Sequence, residues 1–158
     1  DTTPGPGICE VMPRMDSDLF RFATTTEVRW RDLDAMNHVN NAVYFTYLEQ
    51  GRVHYMRELN LVSDDPAGIG FILAEAHCQF RSPLKLGERV TIRIRISELG
   101  RSSFVFRYRV EGEDSRLAAE ARTTQVRYDY EEERSVPISD DWRQVITAYE
   151  PGLVAEEI

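Results

Sequence analysis

Alternating apolar and polar residues predict β-strands through most of the chain after residue 70. Residues 90–96 give the clearest pattern, with four aliphatic side chains on one face and Thr91, Arg93 and Arg95 on the other. The arginines predict that this second face is partly solvated. Similar patterns predict further strands at 20–31, 71–81, 104–110 and 117–130. The sequence therefore predicts five strands.

A long helix is predicted between the first and second strands. Asn40 and Asn41 are residue types that cap helix N-termini, and Asn60 is a plausible stop. One face carries apolar residues at helical spacing: Tyr44, Tyr47, Leu48, Gly51, Tyr55, Met56 and Leu59. Residues 140–149, with Ser139 as cap, predict a short second helix. Because helices and strands are segregated, the fold class is α+β with an antiparallel sheet.

The 158 residues divide into three segments. Residues 1–17 contain prolines and glycines without periodicity, which predicts a flexible leader. Residues 18–150 form a single domain, in keeping with the length of the chain. Residues 151–158 are predicted to form a C-terminal tail.

Composition narrows the functional classes. The net charge of −8 argues against nucleic acid or an anionic membrane as a partner, and no apolar run reaches the roughly 18 residues that span a bilayer. Two cysteines without a disulfide framework, and no secretory signal pattern, predict a cytoplasmic location. No Cys/His cluster has metal spacing and no Gly-rich phosphate loop occurs, so no metal or cofactor is expected.

Residues 32–41 hold the candidate chemistry. Asp34 lies between the first strand and the long helix, and His38 follows four residues later. A carboxylate at the positive end of a helix is equipped to attack or hydrate a carbonyl group. The alternative for Asp34, and equally for Asp32, is an Asx-type turn. The alternative for His38 is a capping or hydrogen-bonding role.

The motif D-x-D-x-x-x-H-V-N-N-x-x-Y-x-x-x-x-E, from Asp32 to Glu49, resembles the signature of the hotdog-fold thioesterases. It is similar to the 4-hydroxybenzoyl-CoA thioesterase type and to the plant acyl-acyl carrier protein thioesterases, over roughly residues 22–138. The resemblance implies a curved five-stranded antiparallel sheet wrapped around a long central helix. It also implies acyl-CoA hydrolysis and homodimers or homotetramers with active sites at the subunit interface.

The same resemblance implies the catalytic residues. The family's catalytic carboxylate corresponds to Asp34. Its oxyanion donor, a backbone N–H at the start of the helix, falls at or near Asn41, and His38 is a supporting residue. The unsatisfied N–H groups and partial positive charge at a helix N-terminus suit a developing oxyanion.

Four further residues are candidates for substrate binding. Tyr44 either lines the acyl groove or belongs to the core, and Asn37 either supplies a polar contact or shapes the turn. Arg101 and Ser103 occupy a connection at which family members contact the CoA nucleotide. Arg101 therefore either meets a phosphate or is a solvated turn residue.

The motif departs from the family at three positions. Asn37 stands where the benzoyl-CoA type commonly has Gly, and Asn41 where it has an aromatic residue. Met36 replaces a catalytic Asn of the plant type, which argues against a general-base role for His38. Outside the motif positions, Glu49 and Arg52 are expected to form an ordinary i,i+3 ion pair on the helix.

The leading hypothesis is hydrolysis of an acyl-CoA to a carboxylic acid and CoA. The first alternative is an acyl-acyl carrier protein thioesterase, although an acidic enzyme is a poor match for an acidic carrier. The second is a non-catalytic hotdog protein that binds an acyl thioester, a role that does not require Asp34.

Overall fold

A computed structural model describes residues 17–62, 70–150 and 152–153 of the chain. The predicted leader, apart from residue 17, and most of the predicted tail lie outside the described residues. Their assignment as leader and tail stays a prediction. Within the described ranges, no helix is both long and apolar enough to cross a membrane.

The helices and strands follow the predicted order. The helices are α1 (Asn41–Glu58) and α2 (Asp140–Tyr149). The strands are β1 (Phe22–Glu27), β2 (Phe71–Phe80), β3 (Arg89–Leu99), β4 (Ser103–Glu111), β5 (Leu117–Asp129) and β6 (Arg134–Ser135). Asn40 caps α1 and Ser139 caps α2, and both side chains accept a hydrogen bond from a backbone N–H two or three residues later.

The sheet is antiparallel, with strand order β1-β3-β4-β5-β2, and β6 pairs with β5. The α+β fold class is therefore confirmed, with β6 as a short addition to the five predicted strands. β-Bulges interrupt the ladders where Ala74, Ser97 and Ala118 have no direct partner. Because bulges bend a strand and increase its twist, they help to curl the sheet.

The predicted first strand was too long. β1 ends at Glu27, and the chain then makes a short 3₁₀ turn at Trp30–Asp32. The Trp30 side chain, which alternation placed in a strand, is 77% exposed. Hydrogen bonds local to Arg29 and Asp32 favour the turn over continued pairing with β3.

Helix α1 packs over one side of the sheet rather than over its centre. Its contacts fall mainly on β3 and β1, and Gly51 allows a close approach because a Cβ there would lie 3.0 Å from Ile92 Cγ2. Tyr55 packs edge-on against Phe22 and Phe106, at centroid separations of 5.7 and 5.4 Å. The prediction of a central helix therefore needs correction: α1 is long, but it lies off-centre.

The off-centre helix leaves the inner face of strand β2 uncovered. Phe80 is 44% exposed, Leu73 is 49% exposed and Ala76 is also exposed, although all three point to the same side of the sheet as the core. Strand β2 is also the edge of the main sheet. This strand thus presents both an apolar face and unpaired backbone groups.

The prediction of a Glu49–Arg52 ion pair was wrong. Glu49 is exposed, whereas Arg52 is buried against the sheet and donates a hydrogen bond to the Tyr108 hydroxyl at 3.2 Å. No ion pair joins Glu49 and Arg52 in the part of the chain that the structure describes. Helical periodicity explains the difference, since Arg52 lies four residues after Leu48 and three before Tyr55, both of which are buried.

Asp32 fixes the start of α1. Its buried carboxylate pairs with the Arg29 guanidinium at 3.1 Å and accepts a hydrogen bond from the Tyr47 hydroxyl at 2.9 Å. Its carbonyl accepts from Asn40 N at 2.9 Å. Burial works to raise the pKa of Asp32, but the hydrogen bonds from Arg29 and Tyr47 outweigh it and hold that pKa below its ordinary value. Asp32 is therefore a structural acid.

We predict that Asp32→Asn lowers the free energy of unfolding by about 1–3 kcal/mol at neutral pH, because a charged acceptor is lost from a buried network. Since the folded-state pKa of Asp32 is lowered, the wild-type advantage is present above the ordinary value of 3.8 and disappears as pH falls through the lowered pKa. Urea unfolding at a series of pH values measures this difference.

The control for this experiment is Glu49→Gln, which removes one exposed negative charge from α1. Its effect on stability should be small at every pH. A difference between wild type and Asp32→Asn that stayed constant down to about pH 2 would contradict the assignment.

Candidate active site

The loop before α1 closes as a small hairpin. Leu33 and Val39 form an antiparallel bridge. Inside it, Asp34 N donates to His38 O at 2.8 Å, and Asn37 N donates to Asp34 O at 3.1 Å. These bonds place the side chains of the loop beside the first turn of the helix.

Asn37 shapes this turn. Its φ is 60°, in the left-handed region that glycine adopts freely and that asparagine tolerates better than most residues. This conformation accounts for the replacement of the family's Gly by Asn at this position. The backbone thus favours the turn-forming alternative for Asn37.

The Asp34 carboxylate is held by one oxygen. Oδ1 accepts from Met36 N at 2.8 Å and from His38 N at 3.3 Å. Oδ2 accepts no hydrogen bond from any described residue, and Asp34 lines a groove at the surface. The two interpretations from the sequence therefore coexist: one oxygen forms an Asx-type turn while the other remains available for chemistry.

The first backbone N–H of α1 is left available. Asn40 Oδ1 accepts from Ala42 N at 2.8 Å, and Asn40 O accepts from Val43 N at 2.9 Å. Among the described residues, the N–H of Asn41 has no acceptor. Because Asn41 lines the same groove as Asp34, the partial positive charge of the helix terminus lies beside that groove.

The groove has a volume of about 380 Å³ and brings four of the predicted residues together. Its lining consists of Asp34, Met36, His38, Val39, Asn41, Tyr44, Phe80, Arg81, Ser82 and Pro83. Six of these lining residues, Met36, Val39 and 80–83, were not among the predicted site residues. The Ser-Pro that ends strand β2 is a sequence signal for a chain turn, but it carries no indication of which element lies beside it.

A second hollow of about 440 Å³ lies on the other side of His38. Its lining is Trp30, Leu33, Asn37, His38, Lys85 and Leu86. His38 therefore separates the two hollows. Its backbone N–H and carbonyl are bonded to Asp34, which agrees with a supporting role in the loop.

Tyr44 belongs to the hydrophobic core and also lines the groove. It is 3% exposed, and its ring packs edge-on against Phe80 at a centroid distance of 5.0 Å. Burial raises the pKa of the Tyr44 phenol to about 12, so the hydroxyl is neutral at physiological pH. The Tyr44–Phe80 pair gives the groove an aromatic wall.

Arg101 and Ser103 are not brought to this groove within one subunit. Ser103 pairs with Val126 at one end of strand β5, whereas Phe80 of the groove pairs with Ala119, seven residues away along the same strand. That separation corresponds to roughly 23 Å. Arg101 is exposed, and Ser103 lines a separate hollow of about 470 Å³.

The described side chains contain no group of three or more His, Cys, Asp or Glu residues arranged to hold a metal ion. The groove itself offers a carboxylate, a helix N-terminus and an aromatic wall. An acid and an oxyanion donor that line the same groove are suited to acyl transfer.

Comparison with known proteins agrees with this chemistry. The model of the thioesterase-like superfamily matches residues 28–146. A crystal structure of a thioesterase from Thermus thermophilus, complexed with coenzyme A and Zn, superposes with a TM-score of 0.77 at 30% identity. The match covers 87% of this chain and 99% of that one.

Two curated relatives bear on the substrate. The long-chain acyl-CoA thioesterase FadM of Escherichia coli (strain K12) is 25% identical over 123 residues, which is 77% of this chain and 93% of that protein. A chloroplastic acyl-acyl carrier protein thioesterase of Arabidopsis thaliana is 37% identical over 73 residues. That match covers 45% of this chain and 38% of the plant protein.

The hotdog fold expected from the motif is confirmed by these structural neighbours. The family match also covers most of the domain predicted from the sequence. The chain therefore belongs to the thioesterase-like superfamily and is a thioester hydrolase.

Proposed function

We propose that this protein hydrolyses acyl-CoA to a carboxylic acid and CoA in the groove at the start of α1. One observation carries the proposal: Asp34, whose Oδ2 accepts no bond from a described residue, and Asn41, whose N–H has no described acceptor, line the same groove. The coenzyme A in the Thermus relative and the name of the Escherichia relative support CoA as the carrier.

Asp34 Oδ2 either attacks the thioester carbonyl or removes a proton from the water that attacks it. In both routes negative charge develops on the carbonyl oxygen, and the Asn41 N–H stabilises it. The bond to sulfur then breaks and CoA leaves as a thiolate. After direct attack, water hydrolyses the anhydride between the acyl group and Asp34, which releases the carboxylic acid and restores the carboxylate; in the general-base route the acid forms directly. Neither route requires a cofactor. His38 supports the loop that holds Asp34.

We predict that Asp34→Asn lowers kcat by about 10²–10⁴-fold. The asparagine Oδ1 can still accept from Met36 N and His38 N, so the loop should keep its shape. Free-thiol release from a panel of aryl and aliphatic acyl-CoAs measures the effect, with circular dichroism and thermal melting to verify folding.

Asp129→Asn is the matched control. The Asp129 carboxylate also accepts two backbone N–H bonds, from Glu131 and Glu132, but it lies away from the groove. This variant should keep wild-type turnover. Near-normal turnover by Asp34→Asn would contradict the role of Asp34 as the catalytic carboxylate. Tight acyl-CoA binding by wild type without thiol release would favour the non-catalytic alternative.

The oxyanion role can be tested on the backbone itself with Asn41→Pro. Proline is well tolerated at the first position of a helix, and Asn40 already has the extended backbone that a following proline requires (φ −58°, ψ 138°). The substitution deletes one N–H and is expected to lower kcat by about 10²–10³-fold. Asn41→Ala keeps the N–H and serves as control, so equal activity of the two variants would contradict the role.

We also propose that the protein works as a homodimer joined through strand β2, with homotetramers as the further possibility in this family. The exposed edge and uncovered apolar face of β2 support this, since both are costly in water. A partner subunit is also the simplest source of Arg101 and Ser103 for CoA binding, given their distance from the groove.

Sedimentation equilibrium tests the dimer. We expect twice the chain mass of 18.3 kDa or a multiple of it. Leu73→Lys, which places a charge on the uncovered face of β2, should shift the equilibrium toward monomer. A monomeric wild type at micromolar concentration would contradict the dimer.

Acyl carrier protein is the second candidate carrier, favoured by the local identity to the plant enzyme. The net charge of −8 weighs against an acidic carrier protein. The test compares hydrolysis of one acyl group as its CoA thioester and as its acyl carrier protein thioester. We expect a higher kcat/KM for the CoA thioester.

A further inference from the structure

Arg52 lies at the centre of a buried polar cluster on the inner face of the sheet. Its side chain projects from the middle of α1, and the residue is only 8% exposed. Arg52 Nη1 donates to the Tyr108 hydroxyl at 3.2 Å, and that hydroxyl is 2.7 Å from Thr123 Oγ1. Gln125 Nε2 also reaches Thr123 Oγ1, at 3.0 Å. Tyr108, Thr123 and Gln125 are each 1% exposed.

This cluster has more donors than acceptors. A guanidinium carries five N–H donors, and Arg52 uses one of them in a bond to Tyr108. The Tyr108 and Thr123 hydroxyls share one hydrogen bond, so in either orientation one hydroxyl proton is left over. Arg52 has no carboxylate partner among the described residues. Burial raises the pKa of Tyr108 to about 12, so this phenol supplies no negative charge.

Arg52 Nε and Nη2 bond to no described residue and neither is fully enclosed, so an acceptor that reaches them, preferably an anion, would complete the cluster. A carboxylate matches the fork of a guanidinium and can take two of its N–H groups at once. The chemistry of the cluster therefore specifies a carboxylate ligand more closely than an uncharged one.

The uncovered face of strand β2 connects this cluster to the catalytic groove. Thr123 pairs with Ala76 of β2, which is exposed. Phe80, which lines the groove, lies four residues from Ala76 on the same face of the strand, or about 13 Å away. The inner face between them carries only the small side chain of Cys78. An extended chain can thus run from the groove to the cluster along β2.

Resting on the proposed function, we propose that Arg52 binds a carboxylate at the far end of the acyl group. The substrate class is then ω-carboxyacyl-CoA, and the product is a dicarboxylic acid. Asn41 and Arg52 are eleven residues apart on α1, which is about 16 Å of helix. This span suits an acyl chain of medium length.

The test compares thioesters that differ only at the far end of the chain. Suberyl-CoA is paired with octanoyl-CoA, and sebacyl-CoA with decanoyl-CoA. We expect wild type to show at least a tenfold higher kcat/KM for the carboxylated member of one pair. Arg52→Met, which keeps much of the length and loses the charge, should abolish this preference while it retains hydrolysis of the unsubstituted thioester.

Arg57→Met is the matched control, since Arg57 lies on the exposed side of the same helix. It should keep the wild-type preference. If Arg52→Met does not fold, Arg52→Lys retains a charge without the planar fork and should reduce the preference. Equal rates for both members of each pair in wild type, or an unchanged preference in Arg52→Met or Arg52→Lys, would overturn the inference.

A second readout does not depend on turnover. Suberate alone should raise the Tm of wild type and of Asp34→Asn but not that of Arg52→Met. Hydrolysis of octanoyl-CoA without any suberate effect would leave the proposed function standing and remove the carboxylate site. A suberate effect without hydrolysis of any thioester would support the carboxylate site and contradict the proposed function.

Discussion

The buried carboxylate of Asp32 is the contact on which the catalytic end of the molecule depends. It ties the 3₁₀ turn to α1 through Arg29 and Tyr47, and its backbone carbonyl holds Asn40 at the helix cap. With the helix start fixed in this way, the hairpin after Asp32 brings Asp34 to the groove that Asn41 also lines. Two acids two residues apart have different roles because one is buried and fully bonded while the other keeps one oxygen free.

The placement of α1 over β1 and β3 sets the rest of the architecture. Close packing at Gly51 seats the helix on that side, and the inner face of β2 stays uncovered. That face supplies Phe80 to the groove, offers an edge to a second subunit and leads toward Arg52. The inner face of β2 is thus the surface on which substrate and partner would meet.

Sequence periodicity predicted the elements well because one face of each is buried in a single core. The cap at Asn40, the buried stripe of α1 and the alternation in β3 all follow from this constraint. The predictions were wrong where local hydrogen bonds or contacts with distant residues determine the structure. β1 stopped at Glu27 because Arg29 and Asp32 bond to each other, and Arg52 turned inward to Tyr108 rather than to Glu49.

The α+β class, the order of elements and the segment that carries the chemistry could be predicted from the sequence, since these depend on residue type and on spacing along one chain. The three-dimensional structure was needed to show which oxygen of Asp34 is free, which helix N–H lacks an acceptor and that residues 80–83 share the groove. It also placed Ser103 seven residues along β5 from the groove residue Phe80. These features depend on which hydrogen bonds are already made and on how distant segments pack, and neither can be read from a local pattern.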